Sequence, residues 1–199
     1  SGIGRATVLR FVEEGAKVMV ADRNLLAAEE TLEMARVISP DVDAIAVDVS
    51  KWEQIQKMVD RTVDLFGRLD TLINAAGVLV LSSPLAEVDE RDWDLTMNTN
   101  LKGLFFCCKA AIPAMLKGNG GSIVNIASIA GLQANIRSLP YSVSKAGVIH
   151  LTIVAAGEYT TKGIRINCIA PGPIDTPQSR GSSKSKEVIE TMVAHHPMG

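Results

Sequence analysis

Short, almost wholly apolar runs alternate along this chain with longer stretches in which apolar residues recur every three or four positions. The short runs are typical of strands buried on both faces, and they lie at residues 17–21, 43–47, 69–73, 122–127 and 164–169. The longer stretches predict helices at residues 5–14, 24–38, 50–66, 89–117 and 138–161. Strict alternation implies right-handed crossovers, so the predicted fold class is α/β, a doubly wound parallel sheet with helices on both faces.

Polar residues and glycines mark the ends of the predicted helices. Asn24 and Ser50 are candidate N-caps, because short polar side chains accept hydrogen bonds from the amides of a first helical turn. Gly15 and Gly67 are expected to end two helices, since glycine adopts the left-handed backbone of a helix end at little cost.

The composition restricts the class of protein. The chain has 199 residues, 47% of them hydrophobic, with 20 basic and 22 acidic residues, which suits one globular domain over residues 1–199. We expect no nucleic-acid or membrane partner, because the sequence shows neither a basic cluster nor an apolar run of about 18 residues. Cys107, Cys108 and Cys168 have apolar neighbours and no metal-ligand or disulfide spacing. They predict reduced core thiols, no metal site and a cytoplasmic location, and no signal-peptide pattern opens the sequence.

Polar or turn-forming residues follow each predicted strand. Doubly wound sheets bind ligands at the carboxyl ends of their strands, so these positions predict one site at a single edge of the sheet. The residues just past the strands are Asp22, Asp48, Asn74 with Gly77, Ser128, and Pro171 with Gly172.

The first four residues and Asp22 indicate a dinucleotide. Glycines in Ser1-Gly2-Ile3-Gly4 allow backbone amides at a helix N-terminus to approach a phosphate. Asp22 follows that segment by one helix and one strand, the spacing expected for a carboxylate that binds a ribose 2′-hydroxyl. A carboxylate there repels a 2′-phosphate, so the sequence favours NAD over NADP. Arg23 is the counter-signal, because arginine can pair with that phosphate.

Tyr141 and Lys145 lie four residues apart and share one face of a predicted helix. A phenol has a pKa of about 10, which a nearby cation lowers, so the pair is a candidate proton relay. A surface packing pair is the alternative, because tyrosine and lysine at this spacing are common.

Eight segments in fixed order resemble one known family over nearly the whole chain. They are Ser1-Gly2-Ile3-Gly4, Asp22, Asp48-Val49, Asn74-Ala75-Ala76-Gly77, and the runs at 97–103, 123–131, 141–145 and 164–177. The family is that of the short-chain dehydrogenases/reductases, and Ala75 departs from its pattern by replacing a second asparagine. The resemblance implies a Rossmann-like fold and a nicotinamide cofactor.

The resemblance also assigns four catalytic residues. Tyr141 would exchange a proton with the substrate oxygen, and Ser128 would hydrogen-bond that oxygen. Lys145 would lower the pKa of Tyr141 and hold the nicotinamide ribose. Asn100 would anchor a water between Lys145 and solvent, or cap a helix kink, or do both.

The cofactor contacts follow from the same resemblance. Asp48 and Val49 would meet adenine, and the residues after the last strand would meet the nicotinamide. The full implied set is Ser1, Gly2, Ile3, Gly4, Asp22, Arg23, Asp48, Val49, Asn74, Ala75, Gly77, Tyr141, Lys145, Pro171, Gly172, Ile174 and Thr176.

Residues 177–196 would form a substrate lid with a helix near 186–194, or alternatively a poorly ordered surface loop. His195 and His196 are read as exposed lid residues rather than metal ligands, because no carboxylate or cysteine has suitable spacing. Candidate pocket positions favour an apolar substrate; they are Val78, Leu79, Ala130, Gln133 and Pro173.

The leading functional hypothesis is an NAD-dependent oxidoreductase acting on a secondary alcohol or ketone. An NADPH-dependent reductase of 3-oxoacyl thioesters, such as those on acyl-carrier protein, is the alternative within the same family. A dinucleotide-binding sensor or an inactive fragment is the alternative outside enzymes. By resemblance we also expect a homotetramer or homodimer formed through the long helices at 89–117 and 138–161.

Compared with the family pattern, the sequence lacks a first strand and the Thr-Gly half of the phosphate loop. It also lacks the last helix and strand. We therefore expect these 199 residues, expressed alone, to fold poorly or aggregate, because unpaired strand edges would be exposed.

Overall fold

The computed structural model of the protein describes residues 1–81, 84–133 and 138–182. Helices and strands alternate through these residues, as the hydrophobic pattern predicted. The elements are α1 (Gly2–Glu13), β1 (Val18–Asp22), α2 (Leu25–Arg36), β2 (Val42–Ala46), α3 (Trp52–Phe66), β3 (Thr71–Asn74), α4 (Glu90–Met97), α5 (Gly103–Lys117), β4 (Gly121–Ile126), α6 (Leu139–Tyr159), β5 (Ile164–Ile169) and α7 (Pro177–Ser182).

All strand pairs in the described chain are parallel, which confirms the predicted α/β class. The strands form two sheets rather than one continuous sheet, with orders β1-β2 and β3-β4-β5. A shared apolar cluster connects the two sheets, because Val47 and Ile55 pack with Cys107 of α5. A second cluster fills the space between β4, β5, α5 and α6. The carboxyl ends of the strands are thereby held on a rigid frame.

Three of the predicted helix ends are confirmed and one is wrong. Gly15 follows the end of α1 with φ +82°, and its amide donates to the carbonyl of Val12 (3.0 Å). The Asn24 side chain accepts a hydrogen bond from the amide of Leu26 (3.1 Å), and Gly67 ends α3 with φ +83°. Ser50 does not cap α3, which begins at Trp52. The carboxylate of Asp48 accepts the amide of Ser50 (2.9 Å), so a local turn forms before the helix begins.

The predicted helix over residues 89–117 is interrupted. A π-helical segment, Asn98–Lys102, separates α4 from α5, and Asp89 caps α4 through the amide of Arg91 (2.7 Å). π-Segments inside α-helices frequently occur at functional sites. This one carries the predicted catalytic Asn100.

The segment Leu139–Lys162, which comprises α6 and the turn after it, is long and apolar enough to span a membrane by length and composition. In the fold, one side of α6 packs against β5 and buries Lys145, Val148 and Thr152. A core helix of a packed domain passes the same test of length and composition.

Candidate active site

The first turns of α6 carry Tyr141 and Lys145 to the end of β4. Pro140 lies in the first turn of α6, where a missing amide proton costs nothing. The side chain of Lys145 is only 5% exposed, and its Nζ donates to the carbonyl of Ile126 (2.7 Å). The same Nζ lies 5.6 Å from the centroid of the Tyr141 ring. The pair is therefore part of an interior site, which argues against the surface packing alternative.

Ser128 follows β4 and opens a short 3-10 turn, Ile129–Gly131. Its hydroxyl accepts the amide of Ala130 (3.2 Å) and shares a hydrogen bond with Tyr141. The turn rests directly on α6, because a Cβ at Gly131 would lie 2.6 Å from the carbonyl carbon of Lys145. Only glycine permits the turn to approach α6 this closely. The approach places the hydroxyl groups of Ser128 and Tyr141 side by side.

Asn100 is buried beneath this site. Its Oδ1 accepts the amide of Val78 (2.8 Å), and its Nδ2 donates to the carbonyl of Val78 (2.9 Å) and the hydroxyl of Ser144 (3.1 Å). The side chain thus stabilises the π-helical kink. Both of its amide protons are used, so the predicted anchoring of water would fall to the backbone of Asn100.

Burial is the largest cause of the pKa shifts of Tyr141 and Lys145. Burial of the phenol raises the pKa of Tyr141, and the hydrogen bond with Ser128 opposes that shift. Burial also lowers the pKa of Lys145 to about 8. The pKa of Tyr141 is therefore raised rather than lowered as the sequence predicted, because burial outweighs the effects that lower it. Desolvation is the largest cause for both groups, because each is packed into the protein.

The lowered pKa of Lys145 predicts a pH-dependent stability. Between about pH 8 and pH 10.5 the unfolded chain binds a proton that the folded protein has lost, so the free energy of unfolding rises with pH. Lys145→Met removes this group. We expect the free energy of unfolding of the variant, minus that of the wild type, to fall by on the order of 3 kcal/mol from pH 7 to pH 10.5. The difference falls because only the wild type gains stability over this range. Urea unfolding across this range measures the difference, and a constant difference would contradict the assignment.

Three loops of the predicted cofactor site converge. Gly2 has φ +51°, and a Cβ there would lie 3.2 Å from Cγ2 of Thr176. A Cβ at Gly4 would lie 3.5 Å from Cβ of Ala75, and one at Gly77 would lie 3.7 Å from Nζ of Lys145. The start of α1, the loop after β3 and the loop after β5 therefore meet beside the catalytic group.

The loop after β5 is tied to the same place. The carbonyl of Pro171 accepts the amide of Ile129 (3.0 Å), which joins this loop to the turn after Ser128. The amide of Thr176 donates to the hydroxyl of Ser179 (2.9 Å), and that hydroxyl donates to the carbonyl of Ile174 (2.8 Å). Gly172 is exposed between these contacts.

Asp22 is the last residue of β1, rather than the residue after it as predicted, and Asp48 lies just past the end of β2. One oxygen of Asp22 accepts the amide of Asn24 (2.9 Å). Burial acts to raise the pKa of Asp48, but hydrogen bonds from Ser50 and the charges of Arg23 and Lys51 bring it below its usual value.

The residues that meet at the predicted cofactor site suit a dinucleotide. Val49 packs against Gly103, where a Cβ would lie 2.7 Å from Cγ2 of Val49. The glycine-rich start of α1 and the carboxylate of Asp22 are of the kinds that bind a phosphate and a ribose hydroxyl.

The remaining predicted residues differ in exposure, and some lie outside the described chain. Of the predicted lid, α7 is described, while the helix expected at 186–194 and His195 and His196 lie outside the described residues. Gln133 and Pro173 are exposed, Ala130 is buried, and Val78 and Leu79 are half-buried. No group of three His, Cys, Asp or Glu residues that could hold a metal occurs in the part of the chain that the structure describes.

Sequence reasoning missed a buried polar chain beneath the site. Asn74 Nδ2 donates to Asn125 Oδ1 (2.9 Å), and Asn125 Nδ2 donates to Thr152 Oγ1 (2.9 Å). Nδ2 of Asn74 also donates to Cys108 Sγ (3.4 Å), so this amide nitrogen is used in the sheet interior. An asparagine in the middle of the apolar run at 122–127 was the available signal.

Comparisons with known proteins agree with this geometry. The family model described as short chain dehydrogenase matches residues 1–187. The chain is 37% identical to 3-oxoacyl-acyl-carrier-protein reductase FabG of Thermotoga maritima, covering 100% of this chain and 80% of that protein. The crystal structure of levodione reductase superimposes with a TM-score of 0.95 at 32% identity, covering 99% of this chain and 80% of its own. The structure of ElxO with NADP bound superimposes with a TM-score of 0.89 at 34% identity, covering 99% of this chain and 80% of its own.

The matched family, the fold and the arrangement of Ser128, Tyr141 and Lys145 all lead to one assignment. The chain belongs to the short-chain dehydrogenase/reductase family of oxidoreductases.

Proposed function

We propose that the protein transfers a hydride between NAD and a secondary alcohol or ketone, with Tyr141 as the general acid and base. The observation that carries this proposal is the hydrogen bond between Tyr141 and Ser128, with Lys145 held beside the same ring. The bound dinucleotide supplies the hydride chemistry. The protein's own residues orient the substrate and move its proton.

Tyr141 and Ser128 are suited to act on one oxygen. Their hydroxyl groups are neighbours, so both can hydrogen-bond the oxygen of a ketone or alcohol. Because burial raises the pKa of Tyr141, the phenol holds its proton at neutral pH and can donate it to a carbonyl. Alcohol oxidation requires phenolate, so its rate should increase with pH.

Asp22 supports NAD as the cofactor. One carboxylate oxygen is bonded to the amide of Asn24, and the other is available for ribose hydroxyls while repelling a 2′-phosphate. The cation of Arg23 would favour NADP. It interacts electrostatically with Asp48, and this carboxylate partly neutralises its charge. NADP remains the second candidate, because ElxO has NADP bound at 34% identity.

Asp22→Ser should shift the cofactor preference. Loss of the carboxylate removes a partner of the ribose and the repulsion of a 2′-phosphate, so we expect the ratio of kcat/KM for NAD over NADP to fall by roughly 10- to 100-fold. Steady-state kinetics with both cofactors measures the ratio. Asp41→Ser is the matched control, because Asp41 is exposed before β2, at the opposite end of the strand. A wild type that prefers NADP would overturn the assignment.

A reductase of 3-oxoacyl thioesters is the second candidate, supported by the 37% identity to FabG. A panel tests both functions: 2-octanol and cyclohexanol with NAD or NADP, the matching ketones with NADH or NADPH, and acetoacetyl-CoA with NADPH. Turnover of the simple alcohols and ketones supports the leading proposal. Fast reduction confined to the thioester supports the second, and dinucleotide binding without turnover supports a sensor.

Two further proposals concern assembly and location. Apolar side chains remain exposed on α5 and α6, including Phe105 at 44% and Ile153 at 61%. Such side chains on long helices suit a homotetramer or homodimer, which light scattering after gel filtration would detect. A cytoplasmic location remains a prediction from the free cysteines Cys107, Cys108 and Cys168.

A further inference from the structure

A fully buried serine lies between two of the catalytic residues. The hydroxyl of Ser144 donates to the carbonyl of Tyr141 (2.7 Å) and accepts Nδ2 of Asn100 (3.1 Å). Through these two hydrogen bonds the hydroxyl joins the π-helical segment to the first turn of α6. Tyr141 and Lys145 both project from this part of α6.

Asn100 extends the connection to the loop after β3. Its amide group binds both backbone groups of Val78, and Gly77 beside it faces Asn100 and Lys145. The orientation of the amide is determined, because a flipped group would direct its NH2 at the amide proton of Val78. The remaining proton then points to the hydroxyl of Ser144. One hydroxyl and one amide thus connect three separate elements around the catalytic pair.

We propose that Ser144 is a positioning residue that fixes Tyr141 and Lys145 relative to Asn100 and the loop after β3. A serine hydroxyl that bonds a carbonyl in the preceding turn adjusts the local path of a helix. Because Ser144 also receives the proton of Asn100, that path is tied to the π-helical segment. Without the hydroxyl, the first turn of α6 can shift while the cofactor loops stay in place. The inference rests on the proposed role of Tyr141.

Ser144→Ala tests the proposal, and the chain provides matched controls. The hydroxyls of Ser138 and Ser142 are also buried, but neither has a hydrogen-bond partner among the residues that the structure describes. Ser138→Ala and Ser142→Ala therefore make the same chemical change in the same region without removing a contact. Kinetics would use the fastest substrate of the panel, with the dinucleotide varied.

For Ser144→Ala we expect kcat to fall roughly tenfold, since small displacements of catalytic groups are costly, with KM for the dinucleotide unchanged within about twofold. Both control variants should retain kcat within about twofold. The double variant of Ser144→Ala and Asn100→Ala should lose less than the product of the two single losses, because both single variants remove the hydrogen bond between these residues. Equal kcat for Ser144→Ala and Ser142→Ala would overturn the inference, as would an equal loss in all three serine variants.

A second measurement does not depend on any variant folding. In the 15N-labelled wild type, the side-chain amide protons of Asn100 should exchange slowly with solvent, because both are bonded and buried. Rapid exchange would overturn the inference. The proposed function fails separately: if Tyr141→Phe keeps full turnover, the role of Tyr141 is wrong. If that variant is inactive while Ser144→Ala resembles its controls, only the role of Ser144 is wrong.

Discussion

Tyr141→Phe is expected to reduce turnover by roughly a thousandfold or more, while dinucleotide affinity changes by less than about threefold. The substitution removes only the phenolic oxygen, which exchanges the substrate proton and shares a hydrogen bond with Ser128. The ring remains to pack beside Lys145. Single-turnover kinetics and fluorescence titration of the dinucleotide separate the loss of chemistry from a loss of binding.

The chain supplies a matched control for this variant, since its two tyrosines are Tyr141 and Tyr159. Tyr159 ends α6, and its ring contacts the ammonium of Lys162 (4.6 Å) far along the helix from Tyr141. Tyr159→Phe should leave turnover unchanged within about twofold. Full activity of Tyr141→Phe would refute the proposed general acid and base, and equal losses in both variants would indicate a structural effect.

Asn125→Leu should destabilise the fold by roughly 2–5 kcal/mol, the largest stability effect that we expect. Leucine has the same branched arrangement of side-chain heavy atoms as asparagine, but it is larger and offers no polar group. The substitution would leave Asn74 Nδ2 and Thr152 Oγ1 without the partners that they have at 2.9 Å. Both groups are buried, so water cannot replace the lost bonds without opening the sheet. Urea or thermal unfolding measures the loss.

Asn167→Leu is the control for this variant, because Asn167 lies on the neighbouring strand β5 and is exposed. Its replacement should change stability by less than about 0.5 kcal/mol. Comparable destabilisation by both substitutions would show that strand position, rather than the buried polar chain, determines the cost. Because Asn74 precedes the cofactor loop, we also expect Asn125→Leu to weaken dinucleotide binding.

The order of elements and the members of the site were readable from the sequence. Apolar runs of five or six residues and the motif containing Tyr141 and Lys145 are local features, so spacing alone located them. The residues after the strands were also predictable, because parallel strands bring their carboxyl ends to a common edge. Ser128 and Tyr141 therefore meet in the structure as expected.

Contacts between elements distant in sequence decided what could not be predicted from it. The π-helical segment depends on Val78 and Ser144 binding Asn100, and the raised pKa of Tyr141 depends on burial. The division into two sheets is likewise a matter of which strands pair. Sequence by itself determined the fold class, because it follows from local periodicity, and it predicted the catalytic residues through motif order and the family resemblance. Tertiary structure alone decided the directions of the pKa shifts and the supporting hydrogen bonds, because desolvation and long-range pairing exist only once the chain is packed.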